Sequence, residues 1–428
     1  MFKFDPAFRA EFRDNWSVLL IAFCCLMFGF SAPAFALPFL FTEVIAEFGW
    51  TREQATLLAS AKYLTGAAAA LVVGRFVDVI GERLALIVTL SLGALALMSF
   101  LWVPNLTVYY LSGVLLGLAG PGAMVAVKVL VSRNFDTSQG TATGIALLGT
   151  SVGSVIIPVI IAFLIAALGW RYAFATLSVG IWFITLPLLI FMFPRSARDQ
   201  HAQLKAKASS AAADKPKIGL GEVAKLARTR PFWLLAGALF LAAASDQAFI
   251  QHQVLMLSDI DLSREITALA ISAIGILGIF SRVVIGNLLD SKSNRAVATF
   301  YTLLTATSLL AFYLVNPVIL ILFVLFRAVG HAAVLLDTTV MTKHVFGLKN
   351  FGTLIGVYTA IVSLGYAAGP WIMGRLYDIN GGYSVAFIVF AILPLIAAVL
   401  MWMLKPTYWL MLNAAKAAAD QETQRQTT

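Results

Sequence analysis

The chain has 428 residues, of which 60% are hydrophobic and 12% charged, and it carries a formal net charge of +9. A water-soluble domain of that length does not carry so little charge, so the composition excludes one and places most of the chain in lipid. The positive balance is not read as nucleic-acid binding, because the bases collect between apolar runs, the pattern that orients membrane spans.

Apolar runs of about 20 residues can each cross roughly 30 Å of hydrocarbon as a helix. Twelve such runs are predicted, near residues 16–45, 52–78, 83–103, 108–132, 140–168, 172–193, 232–257, 264–289, 296–315, 318–342, 351–376 and 384–404. The first is too long for a secretory signal, and residues 1–15 before it hold acids as well as bases, so no cleaved leader is expected. Cys24 and Cys25 are adjacent within that run. Neighbours so placed do not bridge each other, and no disulfide, metal site or cofactor is indicated.

Polar residues inside the runs are the candidates for function, because intramembrane charges are expensive. Lys62 lies about ten residues into the second run. It either snorkels, or pairs with an acid such as Glu43, or puts a positive charge on a cavity. Lys128, five residues before Arg133, reads as a snorkelling base.

The second run ends in Gly74-Arg-Phe-Val-Asp78-Val-Ile-Gly81-Glu-Arg83. Residues 194–230, between the sixth and seventh runs, are rich in Lys and Arg with a Ser/Ala-rich middle. By the positive-inside rule this linker is cytoplasmic, and with an even number of spans on each side both termini are too. The seventh run carries Asp246 on one helical face with Phe249, Ile250 and Gln253. A carboxyl group there either takes up a proton or caps a broken helix.

The stretch 271–290 is apolar enough to span, yet it contains Arg282. Helical side chains lean over the preceding turn, where Gly278, Gly275 and Ser272 form a stripe of small residues. Either that stripe leaves a lane beside the guanidinium for an anion, or Arg282 bonds a neighbouring helix or snorkels. In the tenth run Arg327 and His331 are one turn apart, with Asp337 beyond. Arg327 before Gly330 reads as a packing arginine, and His331 as a partner of Asp246 or Asp337 or of a substrate. Tyr63, Tyr358, Tyr366 and Trp371 are candidate cavity aromatics.

The halves repeat at one offset of 212 residues: Gly74, Asp78 and Arg83 recur as Gly286, Asp290 and Arg295, and Gly140, Gly144, Gly153 and Pro158 as Gly352, Gly356, Gly365 and Pro370. A shared offset over two separate regions indicates a duplicated six-span unit. The expected organisation is a first six-helix bundle at 1–193, the basic linker at 194–230, a second bundle at 231–404 and a cytoplasmic tail at 405–428.

The motif from Gly74 to Arg83 resembles the signature of the major facilitator superfamily, in the loop between its second and third spans. The second copy keeps Gly286, Asp290 and Arg295 but has Ser293 where glycine is usual. The resemblance covers nearly the whole chain. It implies an all-α membrane protein of twelve transmembrane helices in two pseudo-symmetric six-helix bundles. It also implies a conformational latch made of Gly74, Asp78, Arg83, Gly286, Asp290 and Arg295, in which the acid at a span end caps the following helix and meets a base.

Phe48-Gly-Trp-Thr-Arg-Glu-Gln54, Gly169-Trp-Arg-Tyr-Ala-Phe174 and the lone Arg282 are similar to the monocarboxylate-transporter branch and its bacterial relatives. That resemblance implies that Arg282 holds a substrate carboxylate and that His252 and Asp259 lie near the substrate. Animal members have a Lys after the proline of the first span, where this chain has Phe39 after Pro38. They also have an Asp one turn before the arginine, where this chain has Gly278. Their proton relay therefore does not carry over residue by residue.

The function expected is secondary transport of a small organic acid, foremost a proton-coupled monocarboxylate symporter of the lactate or pyruvate kind, working by alternating access. The substrate residues would be Arg282, His252, Lys62, Tyr358 and Tyr366, and the proton-coupling residues Asp246, Asp259 and His331. The partners are the acid, protons and the bilayer. The protein is expected to be a monomer in a cell membrane, the bacterial inner membrane. No phosphate-binding loop of the Gly-x-x-x-x-Gly-Lys-Ser/Thr kind indicates ATP-driven transport, and no nucleophile–base pair indicates an enzyme. The alternatives are a dicarboxylate or aromatic-acid carrier or an anion exchanger, then drug efflux, then a non-transporting receptor.

Overall fold

The computed structural model describes residues 6–135, 139–193, 225–347, 351–408 and 410–411. Residues 194–224 of the expected linker, and most of the expected tail, lie outside the described residues. Among the described residues every regular element is helical. Helix α1 runs Pro6–Cys24, loosens into a π-helical stretch Cys25–Ser31 and resumes as Ala32–Phe48. Then come α2 (Arg52–Ile80), α3 (Glu82–Ser99), α4 (Leu106–Asn134) and α5 (Gln139–Leu168). Helix α6 is Trp170–Val179, a π-helical Gly180–Thr185 and Leu186–Phe191. Both π stretches stop just before a proline, Pro33 and Pro187. A residue with no N–H interrupts the ladder, and the extra residue is absorbed there. The second half holds α7 (Arg230–Ser258), α8 (Arg264–Lys292), α9 (Asn294–Leu310), α10 (Pro317–Phe346), α11 (Phe351–Asn380) and α12 (Ser384–Met403). Eleven of these segments are long and apolar enough to cross a membrane. The remaining one, α2, has 29 residues and the length to do so.

The repeat reappears in the backbone at the same offset. Helix α8 begins and ends 212 residues after α2, and α11 begins and ends 212 after α5. The left-handed turn positions follow suit: Gly49 (φ 66) and Asp261 (φ 55), Gly81 (φ 83) and Ser293 (φ 50), Gly169 (φ 76) and Gly381 (φ 66). Where the second copy has Ser293 in place of glycine, the backbone keeps positive φ, and the hydroxyl takes up a bond to His344 Nδ1 at 2.9 Å.

By proximity the chain separates into two compact units. One holds Met1–Lys215, Ile250–Ile276 and Pro370–Ile379; the other holds Pro216–Phe249, Leu277–Gly369 and Asn380–Thr428. The division therefore does not follow the chain midpoint, because α7, α8 and α11 each give one part to each unit. In lipid there is no hydrophobic drive between helices, so packing relies on small residues and close backbones. In the first unit Gly149 and Gly153 of α5 lie against Phe23, Met27 and Ser31 of α1. In the second, Gly365 and Gly369 of α11 lie against Phe240, Ala243 and Ala244 of α7. The second unit's core is built on Leu235, Leu239, Tyr301, Leu304, Tyr358 and Met401.

Gly169 has φ 76 and ψ 159, a region open almost only to glycine. A Cβ there would meet nothing within 4 Å, so its cost is backbone strain alone. Gly169→Ala is expected to destabilise by about 1–3 kcal/mol, read as a lower apparent Tm of the purified protein. Gly144→Ala, in a helix with nothing within 4 Å, is expected to leave Tm unchanged or higher.

Candidate functional site

The start of α2 shows how the first unit organises its charges. Thr51 and Gln54 form a reciprocal capping box: the Gln54 N–H donates to the Thr51 hydroxyl (3.2 Å), and the Thr51 N–H to Gln54 Oε1 (3.1 Å). The two remaining free donors, the N–H groups of Arg52 and Glu53, donate to the carboxylate of Asp378 from α11 at 3.1 and 2.8 Å. A carboxylate at a helix N-terminus is also favoured by the dipole. The Arg52 guanidinium pairs with Asp259 and lies over the Tyr377 ring, 3.7 Å from its centroid. Glu53 accepts from Trp371 Nε1 (2.8 Å) and Arg375 Nη1 (2.9 Å). Trp371, expected as a cavity aromatic, is thus tied to this network.

His252 is fully buried on α7, with Nε2 2.9 Å from the Pro370 carbonyl. The Thr56 hydroxyl donates to the same carbonyl. The ends of α7 and α11 are therefore sewn to α2 by polar bonds, which is why those segments belong to the first unit.

Lys62 is half-buried, with its ammonium 5.1 Å from the centroid of the Tyr63 ring. Glu43, the acid considered for it, is paired with Arg264 instead. Lys62 makes no ion pair with a carboxylate among the described residues.

In the second unit Asp246 is fully buried and Arg327 1% exposed. Arg327 Nη1 lies 2.7 Å from Asp246 Oδ1, and Nη2 donates to the Asp246 backbone carbonyl at 2.6 Å. His331 Nδ1 lies 2.9 Å from Asp246 Oδ2. One turn of α10 thus presents both cation-capable groups to one carboxylate of α7. Arg327, read from the sequence as a packing residue, is the countercharge of Asp246. Asp337 is bonded elsewhere, to Tyr301 and Thr338.

Arg282 is half-buried on α8. The small-residue stripe before it is not an open lane along its whole length. Ser272 donates to the Val155 carbonyl at 2.6 Å, and a Cβ at Gly275 would lie 2.9 Å from Ser154 Oγ. Those two residues let α8 approach α5. Only Gly278, where a Cβ would be 4.0 Å from its nearest neighbour, the Ala328 carbonyl, keeps room beside it. Sequence spacing identifies small residues but not what approaches them.

Tyr358 is fully buried in the second unit's core, its hydroxyl donating to the Phe232 carbonyl at 3.3 Å. Tyr366 is half-buried and packs against the same core. Of the latch residues, Arg83 donates to the Ile190 carbonyl (2.8 Å) at the end of α6, while its sequence neighbour Glu82 is buried and pairs with Arg133 of α4. Arg295 is exposed, and a Cβ at Gly286 would meet nothing within 4 Å. Gly74, Asp78 and Asp290 fall within α2 and α8, but their side chains lie outside the described residues.

Two features escaped the sequence reading. The Arg52–Asp259–Asp378 network needed partners more than 200 residues apart. Gln251 is fully buried with both amide atoms lacking a hydrogen-bond partner. The run Gln251-His252-Gln253 in a membrane helix was the available signal for it. Among the described residues no cluster of three or more His, Cys, Asp or Glu is placed to hold a metal.

Removing one member of a buried ion pair leaves the other charge uncompensated, which costs about 3–5 kcal/mol. Arg327→Met is therefore expected to lower the apparent Tm sharply. The double variant Asp246→Asn/Arg327→Met, which removes both charges, is expected to recover most of that loss in the same thermal assay. A double variant no better than the single would separate stability from the charge balance.

A family model described as Major Facilitator Superfamily matches residues 19–335 and, in a second match, 253–419. Together the matches take in most of the chain and overlap over residues 253–335. Eleven membrane-length apolar helices among the described residues, a backbone repeat at one offset and this match agree: the chain belongs to the major facilitator superfamily and is a multi-pass membrane transporter.

Proposed function

We propose that the protein carries small organic anions, as a proton-coupled monocarboxylate symporter of the lactate or pyruvate kind working by alternating access. Carriage of an anion, whether mono- or dicarboxylate, is supported most by Lys62, a base in a membrane helix with no carboxylate partner among the described residues, while Glu43 is held by Arg264. A fixed cation in a low-dielectric helix is stabilised by an anion. Arg282 of α8 is proposed as the carboxylate anchor, because a guanidinium offers two parallel donors, and Gly278 one turn before it keeps room at its side. His252 and Tyr366 are proposed substrate neighbours. Tyr358, bonded within the core, is given a packing role.

For coupling, Asp246 and Asp259 each face an arginine. His331, 2.9 Å from the Asp246 carboxylate, is proposed with them as the third coupling residue. The reading takes the protein as a monomer in a bacterial inner membrane, with both termini cytoplasmic because a basic linker favours that orientation. Uptake of labelled acids into proteoliposomes under an imposed pH gradient tests the reading; no accumulation of any organic acid would sink it.

Arg282→Lys keeps the charge but loses the planar fork. With charge-assisted bonds at about 1.5–3 kcal/mol each, uptake efficiency is expected to fall at least tenfold. Wild-type uptake and affinity in that variant would remove Arg282 from the site.

A second reading rests on the same unpaired Lys62: a dicarboxylate in which Lys62 takes a carboxylate of its own. For a monocarboxylate held by Arg282, Lys62→Ala is expected to change affinity little. For a dicarboxylate it leaves a buried carboxylate unpartnered, a loss of several kcal/mol. Competition by lactate-like against succinate-like acids, in wild type and Lys62→Ala, decides. Tighter binding of diacids that disappears in the variant would favour the second reading.

A further inference from the structure

We infer that Asp337 of α10 is a proton-binding site, distinct from the Asp246–Arg327–His331 cluster. The carboxyl is 1% exposed. Its side-chain partners are two hydroxyls, Tyr301 of α9 on Oδ2 at 2.5 Å and the neighbouring Thr338 on Oδ1 at 3.0 Å, and the Thr338 backbone N–H also bears on it. No cation pairs with it among the described residues.

The contrast with Asp246 carries the inference. A guanidinium has donors only, and it is Arg327 that faces the Asp246 carboxyl group. A hydroxyl both donates and accepts. It can donate to the carboxylate and, by rotating, accept from the neutral acid, so a pair of hydroxyls serves Asp337 in either state. An ionised carboxylate buried without a countercharge is strongly disfavoured, and binding a proton relieves that.

The charged and titratable groups around Asp337 do not supply a countercharge. The groups acting on it or on its Tyr301 partner are Tyr301 on α9, Asp246 on α7 and Tyr366 on α11, none of them a cation, and the cation-capable groups of α10 itself are Arg327, His331, His344 and the exposed Lys343. Arg327 and His331 are turned to Asp246, and His344 Nδ1 lies 2.9 Å from the Ser293 hydroxyl. Asp246 is of like sign and works against a second anion. Loss of the proton therefore changes both the α9–α10 bond through Tyr301 and the field at the Asp246 cluster. With the anion-transport reading above, on which this last step rests, the proton on Asp337 compensates the charge of the carried acid.

The first test needs no substrate. Infrared spectra of the purified protein in lipid, taken across a pH series, are expected to show a protonated-carboxyl band that disappears at high pH. The band is expected to persist in Asp246→Asn and to be missing in Asp337→Asn. Tyr301→Phe retains the ring and the carboxyl, and is expected to keep the band at a shifted frequency, which covers the case of a poorly folding Asp337→Asn. An unchanged band in both variants, or one abolished by sodium at constant pH, overturns the proposal.

The second test uses transport. Asp337→Asn is expected to lose accumulation driven by a pH gradient while keeping exchange between equal pools of acid. Gradient-driven accumulation at the wild-type level overturns the coupling role. If the wild type moves no organic acid, the transport reading fails, and the infrared series still decides whether Asp337 binds a proton.

Discussion

The buried pair of Asp246 and Arg327 is the interaction on which the second unit depends. Two charges inside a helical membrane protein stay there only if each is matched in charge and in hydrogen bonds. Arg327 does both, with one nitrogen on the carboxylate and another on the backbone carbonyl of the same residue. That ties α10 to α7 at a fixed register and orients His331 toward the other carboxylate oxygen. The helix turn holding Arg327 and His331 is thereby committed to α7. Asp337, six residues on, turns to α9 and hydroxyl partners instead. Two buried acids in one unit thus have opposite chemistry, set by whether the partner is a guanidinium or a hydroxyl.

The first unit solves the same problem at the start of α2. Every free N–H of its first turn has an acceptor, two from its own capping box and two from Asp378 of α11. Arg52 adds Asp259 and the Tyr377 ring, and Glu53 adds Arg375 and Trp371. Individually such partly exposed pairs contribute little. Their significance is geometric, because they hold the ends of α7 and α11 against α2. Glu43 with Arg264 does the same for α8. These contacts use up the acids near Lys62 in the sequence pattern, and Lys62 is left facing an aromatic ring.

Duplication explains much of the remaining architecture. Helix ends and positive-φ turns recur at one offset even where side chains have diverged. Ser293 is the clearest case. The positive φ found at Gly81 persists although an L residue occupies the matching position, and its hydroxyl bonds to His344. Gly153 of α5 and Gly365 of α11 likewise occupy matching places against Ser31 of α1 and Ala243 of α7, since close backbone approach is what joins helices in lipid.

The sequence by itself determined the helices, their number, the duplication and the positions where polar groups enter the membrane. Each of those is a local property: run length against bilayer thickness, turn residues, or identity at a fixed offset. The tertiary structure alone decided which acid meets which base. Glu43 and Lys62 are both consistent with pairing by depth, and only the approach of α8 gives Glu43 to Arg264. His331 suits either Asp246 or Asp337 by spacing, and only the face of α10 turned to α7 selects Asp246. Ser272 and Gly275 read as an open lane until α5 lies against them. Such pairings join residues tens to hundreds apart. Helical periodicity fixes the face on which a side chain stands, while the neighbour opposite that face is fixed by packing.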